Sequence, residues 1–169
     1  MIVCGCSVRQ EVRRDLLQEV KKHQAWKLLR QIPGIGPIRA ALLMAVMQTP
    51  HRFRTKRQLW TYSGLGLETH DSGEYRAVKG QLQRAKKQAT VRGLNRAHNH
   101  DLKDIFKGAA MRASTAAGPL HDFYEALLTK GRKPTMARLT LARKIAAITL
   151  TVWKKEVRFD ANYLKLQAA

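Results

Sequence analysis

The chain is short of acid. Its 169 residues hold only 12 Asp and Glu against 32 Lys and Arg, a formal net charge of +20 and a pI near 10.7. Such an excess repels itself unless a polyanion neutralises it, which makes nucleic acid the leading partner and an acidic membrane surface the lesser alternative. A small acidic metabolite would not need charge spread over the whole length. Long apolar runs are missing too: the best stretch, Leu139 to Trp153, is interrupted by Arg143 and Lys144, which excludes a membrane span. The only cysteines, Cys4 and Cys6, stand too close for an ordinary disulfide and have no second pair to complete a zinc site. The N-terminus, Met-Ile-Val-Cys-Gly-Cys, does not read as a secretory signal. A cytoplasmic, nucleoid-associated protein with reduced thiols is expected. Serine is scarce and occurs only as Ser7, Ser63, Ser72 and Ser114.

What is present is one domain's worth of chain, 44% hydrophobic, enough to bury a core. Helical periodicity dominates. Val8, Val12, Leu16 and Val20 fall four apart, and this helix is expected to run on through Trp26 and Leu29 until Pro33 stops it. A second helix follows the Pro-Gly-Ile-Gly-Pro turn, with Ile38, Leu42 and Val46 as its apolar face. Thr55 opens a third, with Gln58 at the capping-box position. From Ser63 to about Gly80 the glycines indicate loop or short strand. A basic helix broken near Gly93 is expected from Lys79 through Arg96. Further helices are expected from about Asn99 to Ala117, from Gly118-Pro119 to Gly131, and from Pro134 onward, where Leu141, Ile145, Ile148 and Val152 repeat at helical spacing. The fold class is therefore all-α, with at most one short hairpin.

The sharpest local pattern is Leu29-Arg30-Gln31-Ile32-Pro33-Gly34-Ile35-Gly36-Pro37-Ile38-Arg39. Two helices meet at a turn whose glycines tolerate positive φ and leave no side chain in the way. Backbone N–H groups at the start of the second helix can then approach a phosphate. A helix-hairpin-helix over residues 26–48 grips nucleic-acid backbone in this manner, through Gly34, Ile35, Gly36 and Arg39. A plain corner in which the glycines serve packing alone remains the alternative. Ser72 sits in Asp71-Ser72-Gly73, beside His70 and Glu74, with Arg76 close behind. A serine nucleophile needs exposure, a route for its proton and cations for phosphoryl oxygens, yet composition alone makes this triplet a turn. His98-Asn99-His100 is better explained by Asn99 capping a helix than by a metal. Trp26, Trp60 and Trp153 fit a core, and Tyr75 is an alternative nucleophile without the Arg and His set that tyrosine recombinases use.

Taken in order, Ile-Pro-Gly-Ile-Gly-Pro, Arg52-Phe53, the Leu-x-x-Tyr-x-Gly-Leu string from Leu59 to Leu65, and Ser72-Gly73 before a basic segment resemble one family. The chain is similar, over roughly residues 24 to 155, to the C-terminal domain of the 110/116/902 insertion-sequence transposases, the bridge-RNA-guided serine recombinases. The resemblance implies a C-terminal domain at residues 24–158, with residues 1–23 as a helical extension and 159–169 as a tail. It implies a loop bearing Ser72, a C-terminal helical bundle, and Ser72 as the residue that attacks a DNA phosphodiester. Ser63 matches a position that commonly holds a small residue. Arg76, Lys79, Arg84, Lys86 and Lys87 fall where contacts to DNA or guide RNA are plausible. Partners implied are DNA, a structured guide RNA and further copies of the chain. Family members carry a RuvC-like domain with a carboxylate tetrad for Mg²⁺ ahead of this region. Here only Glu11, Asp15 and Glu19 precede the hairpin, interspersed with Arg and Lys on a helix. No cofactor is therefore expected in this chain, and Mg²⁺ only with a RuvC-like domain in cis or in trans. Two readings follow: a recombinase half whose serine attacks DNA, or a remnant that binds nucleic acid through its hairpin and cuts nothing.

Overall fold

A computed structural model describes residues 5–70, 75–78, 81–84 and 90–167; side chains are described outside 5–7, 69–70, 75–78, 82–84, 90–92 and 165–167. The architecture is mostly helical. Seven α-helices run Gly5–Val20 (α1), Gln24–Leu29 (α2), Pro37–Met47 (α3), Lys56–Tyr62 (α4), His100–Thr115 (α5), Pro119–Thr129 (α6) and Pro134–Lys155 (α7) among the described residues. A 3₁₀ turn, Pro50–Arg52, precedes α4, and another, Ala161–Gln167, follows α7. Between α4 and α5 lie four strands, Leu67–His70 (β1), Tyr75–Val78 (β2), Gln81–Arg84 (β3) and Thr90–Leu94 (β4). They form two antiparallel ladders, β1 with β4 and β2 with β3.

Local chemistry fixes most boundaries. Pro37, Pro119 and Pro134 each open a helix, where the missing N–H costs nothing and the fixed φ is already helical. Thr55 and Gln58 form the expected capping box on α4: the Thr55 hydroxyl accepts from the Gln58 N–H, and the Gln58 side chain accepts from the Thr55 N–H. Asn99 caps α5 by accepting from the Leu102 N–H at 2.9 Å.

Three expectations change. The N-terminal helix does not run on to Leu29; it ends at Val20, whose carbonyl accepts from the His23 N–H before α2 begins. The segment from Lys79 to Arg96 is not a basic helix. Its described parts are β3 and β4, with β-branched Thr90 and Val91 paired to His70 and Thr69. The buried face of α3 is Ala40, Ala41, Leu43 and Met47 rather than Ile38, Leu42 and Val46, and Leu42 is 40% exposed. This buried face packs against α5, and two of its four buried residues are alanines, which permit close approach of the two helices.

The last helix is the centre of the core. Leu141, Ala142, Ile145, Ala146 and Val152 are fully buried, and α7 packs against α2, α4, α5 and α6. Burying each of Leu141, Ile145 and Val152 contributes about 1.5–3 kcal/mol. No helix among the described residues is long and apolar enough to cross a membrane. One ammonium is trapped in this core: Lys144, 7% exposed, donates to the Leu164 carbonyl at 3.2 Å and lies 5.8 Å from the Phe123 ring centroid.

Burial, and secondarily the charge of Lys56, push the Lys144 pKa below the ordinary lysine value. The unfolded chain therefore binds that proton more tightly than the folded one. Below the lowered folded pKa the penalty stands in full; stability then rises with pH until the ordinary lysine value is passed. Urea midpoints measured between pH 7 and 10.5 are expected to rise in the parent chain and to rise less in Lys144→Met.

Candidate nucleic-acid interface

Two pieces of the molecule carry the residues singled out in the sequence: the turn between α2 and α3, and the strand excursion between α4 and α5. The turn is closed from both sides. Ile32 and Ile35 are buried beneath it, and the Ile35 N–H donates to the Ile32 carbonyl at 3.0 Å. The Trp26 indole donates to the Pro37 carbonyl at 3.2 Å, tying α2 to the first residue of α3. Arg30 stacks on that indole, its guanidinium carbon 4.5 Å from the ring centroid.

The two glycines of the turn are not equivalent. Gly34 has φ +88°, and a Cβ there would sit 2.5 Å from the Ala109 carbonyl oxygen, so this glycine is required for packing on α5. Gly36 has φ −79°, caps α3 without a side-chain hydrogen bond, and a Cβ there would meet nothing within 4 Å. Pro37 has no N–H, which leaves those of Ile38 and Arg39 as first-turn donors of α3. Arg39 turns back: its guanidinium donates to the Gly34 carbonyl at 3.1 Å and packs over Gly108. It also lines a shallow hollow with Leu42, Asp101 and Asp104. Arg39 thus braces the turn, while the open approach to the backbone lies at Gly36.

The strand excursion is anchored at its base. The Trp60 indole donates to the Arg143 carbonyl at 2.9 Å, and the Arg143 guanidinium donates from Nε to the Leu65 carbonyl at 2.6 Å. Ser63 is fully buried, and its hydroxyl donates to the Leu59 carbonyl at 2.7 Å; it is a packing residue, committed to backbone. Gly64, at φ +65°, leaves room for the His98 ring, which a Cβ would approach to 2.5 Å. On the return side the Asn95 N–H donates to the Gly66 carbonyl, the Asn95 side chain to the Thr61 carbonyl, and the Asn99 N–H to the Tyr62 carbonyl. Both ends of the excursion therefore leave and re-enter at α4. The Arg143 pKa is lowered by burial, and its Nη2 has no hydrogen-bond partner among the described residues.

Of the expected site residues, Ser72 falls in sequence between β1 and β2 and lies outside the described residues, as do Lys79, Lys86 and Lys87. Arg76 and Arg84 are strand positions of the β2–β3 ladder, facing Gln83 and Tyr75 in register. Among the described residues no three His, Cys, Asp or Glu gather as a metal ion requires. The His98 and His100 rings stack on one another at 4.5 Å, and the Lys103 ammonium lies 3.1 Å from His98 Nε2. The Arg143 clasp was missed in the sequence, where a mid-helix arginine marks only an interruption of apolar residues.

Residues 26–91 match the family described as Transposase IS116/IS110/IS902. Over 131 residues the chain is 24% identical to the insertion element IS116 uncharacterized 44.8 kDa protein of Streptomyces clavuligerus, an alignment covering 78% of this chain and 30% of that protein. The chain thus spans about a third of the length of the curated relative it matches. The matched family segment takes in the turn, α4 and most of the strand excursion.

The two glycines separate packing from access. Gly34→Ala is expected to cost at least about 2 kcal/mol, from positive-φ strain and a backbone clash. Gly36→Ala should stay within about 0.5 kcal/mol of the parent, as surface substitutions do. Chemical denaturation of both variants checks this.

Proposed function

We propose that this chain, whose residues 26–91 match the IS116/IS110/IS902 transposase family, acts on DNA as the C-terminal part of such a transposase, with Ser72 as its nucleophile. The observation that carries the reading is the matched segment itself, which includes Ser72 and most of the strand excursion around it. The net charge of +20 supports a polyanionic partner: pairing every carboxylate would still leave that excess to be neutralised.

In this reading the Ser72 hydroxyl oxygen attacks the phosphorus of a DNA phosphodiester. The Oγ–P bond forms as the P–O bond to one deoxyribose breaks, and the serine proton ends on the released sugar hydroxyl. Attack of a second sugar hydroxyl on the serine phosphodiester reverses the step and joins a different strand. No bond energy is lost, so no external energy source is needed. The chain's own contribution is positional. Arg143, Asn95 and Asn99 hold the base of the excursion against the helical core, so that chemistry at its far part works from a fixed mount. Basic residues of the excursion, Arg76, Lys79, Arg84, Lys86 and Lys87, supply cations for phosphate oxygens of DNA or of a structured guide RNA. The turn at Gly36 offers backbone N–H groups to a further phosphate as a helix-hairpin-helix does. Self-association belongs to the same reading, by resemblance.

Covalent trapping tests it. The chain, alone and together with a RuvC-like domain, MgCl₂ and structured RNA, is incubated with labelled DNA carrying a nick and run on a denaturing gel. A protein–DNA adduct is expected, and it should vanish in Ser72→Ala while that variant still binds DNA. Absence of adduct in every combination, with salt-sensitive binding retained, would reduce the chain to a nucleic-acid-binding module. An adduct that survives Ser72→Ala would move the nucleophile elsewhere, with Tyr75 the next residue to replace.

A further inference from the structure

Away from the turn and the strand excursion, a hollow of about 260 Å³ opens between the entrance of α4 and the end of α7. Four cations line it: Arg54 and Lys56 from the α4 side, Lys154 and Lys155 from the last turn of α7, with Thr151 between them. None of its described lining residues is acidic. We propose that this hollow is a second phosphodiester-binding site, at which the backbone of a nucleic-acid strand is held by Arg54, Lys56 and Lys155. The proposal rests on the reading of the chain as a nucleic-acid-binding transposase part and names where on it a strand is gripped.

Stability alone does not explain the arrangement. Cations at the end of α7 are favourable, because the helix dipole is negative there. Lys56 in the first turn of α4 is the opposite case, since that end is positive and holds no acidic residue, although its ammonium lies 5.8 Å from the Trp60 ring centroid. The two sets nevertheless converge. Lys154 fixes the rim by donating to the Phe53 carbonyl at 2.5 Å, which ties the segment before α4 to the end of α7. Arg52, next along, is locked as well: it donates to the Tyr62 hydroxyl at 3.1 Å and stacks on that ring at 4.6 Å. Lys56 also weighs on the buried Lys144 below, whose ammonium it disfavours. Like charges from segments about a hundred residues apart in sequence are thus held together around an open space. A phosphate entering it would remove a repulsion that the fold otherwise carries, and the planar guanidinium of Arg54 suits phosphate oxygens in pairs.

The test is binding of duplex DNA and of single-stranded RNA to the whole chain, by fluorescence anisotropy across a range of salt, for the parent, Arg54→Gln/Lys56→Gln and Arg30→Gln. A second measurement is the thermal midpoint with and without inorganic pyrophosphate. Each lost phosphate contact flattens the logarithmic salt dependence by about 0.9 for duplex DNA, so the double variant is expected to lose about 1.8 and to bind at least about tenfold more weakly. Its midpoint without anion should equal or exceed the parent's, because repulsion has been removed, and pyrophosphate should raise it less. If salt slope and affinity are unchanged in the double variant while Arg30→Gln lowers them, the hollow is not a nucleic-acid site and the transposase reading stands. If only the pyrophosphate response is lost, the site takes free phosphate and the nucleic-acid assignment is overturned. A parent chain that binds neither DNA nor RNA overturns both. Should the double variant fail to fold, Lys155→Gln, exposed on the rim, carries the same test with an expected loss of about 0.9.

Discussion

The structure depends on how α7 disposes of its cations. A helix buried along most of its length has no water for charged side chains, and this chain has too few carboxylates to pair them. For three of them the solution is a backbone carbonyl of a peripheral element. Arg143 takes Leu65, Lys144 takes Leu164 and Lys154 takes Phe53. A hydrogen bond from a charged donor contributes more than a neutral one, about 1.5–3 kcal/mol, and an acceptor left bare would cost as much. Each contact therefore does two things at once. It satisfies a desolvated cation, and it pins one irregular segment to the core: the loop after α4, the 3₁₀ turn after α7 and the entrance to α4.

That arrangement also explains why the strand excursion has a firm base. Two-stranded ladders are marginal by themselves, and β1–β4 and β2–β3 are two-stranded only. Their orientation must come from where they attach. Leu65 is fully buried and its carbonyl is held by Arg143, while Asn95 and Asn99 hold the returning chain to Gly66 and Tyr62. The chain leaves and re-enters the helical body within one α4 turn. These hydrogen bonds concentrate stability at the root of the excursion.

Much of the helical body was legible in the sequence because punctuation there is chemical. Proline at the first position, Thr55 with Gln58, and Asn99 before Leu102 each satisfy or remove a backbone donor, and that effect does not depend on tertiary context. The failures have the opposite origin. Nothing between Val20 and Gln24 breaks helical periodicity, so the end of α1 was invisible. Between Lys79 and Arg96 charge was read as a helical surface, but lysine and arginine serve a strand face equally well, and Thr90 and Val91 were the better signal. On α3 the row Ile38, Leu42 and Val46 was assigned to the core, whereas the buried row is Ala40, Ala41, Leu43 and Met47, and alanines carry little weight in a pattern of large apolar residues. The candidate site divides along the same line. The turn's glycines were legible as a pair, but only packing on Ala109 separates Gly34 from Gly36. The Arg143 clasp spans 78 residues of sequence and left no local trace.

A chain with an excess of 20 cations must place them somewhere, and the placements sort by cost. Arg143, Lys144 and Lys154 on α7 are committed to carbonyls and hold the fold. Arg39 is committed likewise, to Gly34, so the turn keeps its shape without an external anion. Lys56, at the unfavourable end of a helix and close enough to disturb Lys144, is different: its ammonium lies over the Trp60 ring at 5.8 Å, a weaker partner than a carbonyl. Cations that a structure pays to keep, in places where neither dipole nor hydrogen bond rewards them, are those whose counter-charge arrives from outside. By that criterion the proposed phosphodiester contact falls at the α4 entrance rather than at Arg39.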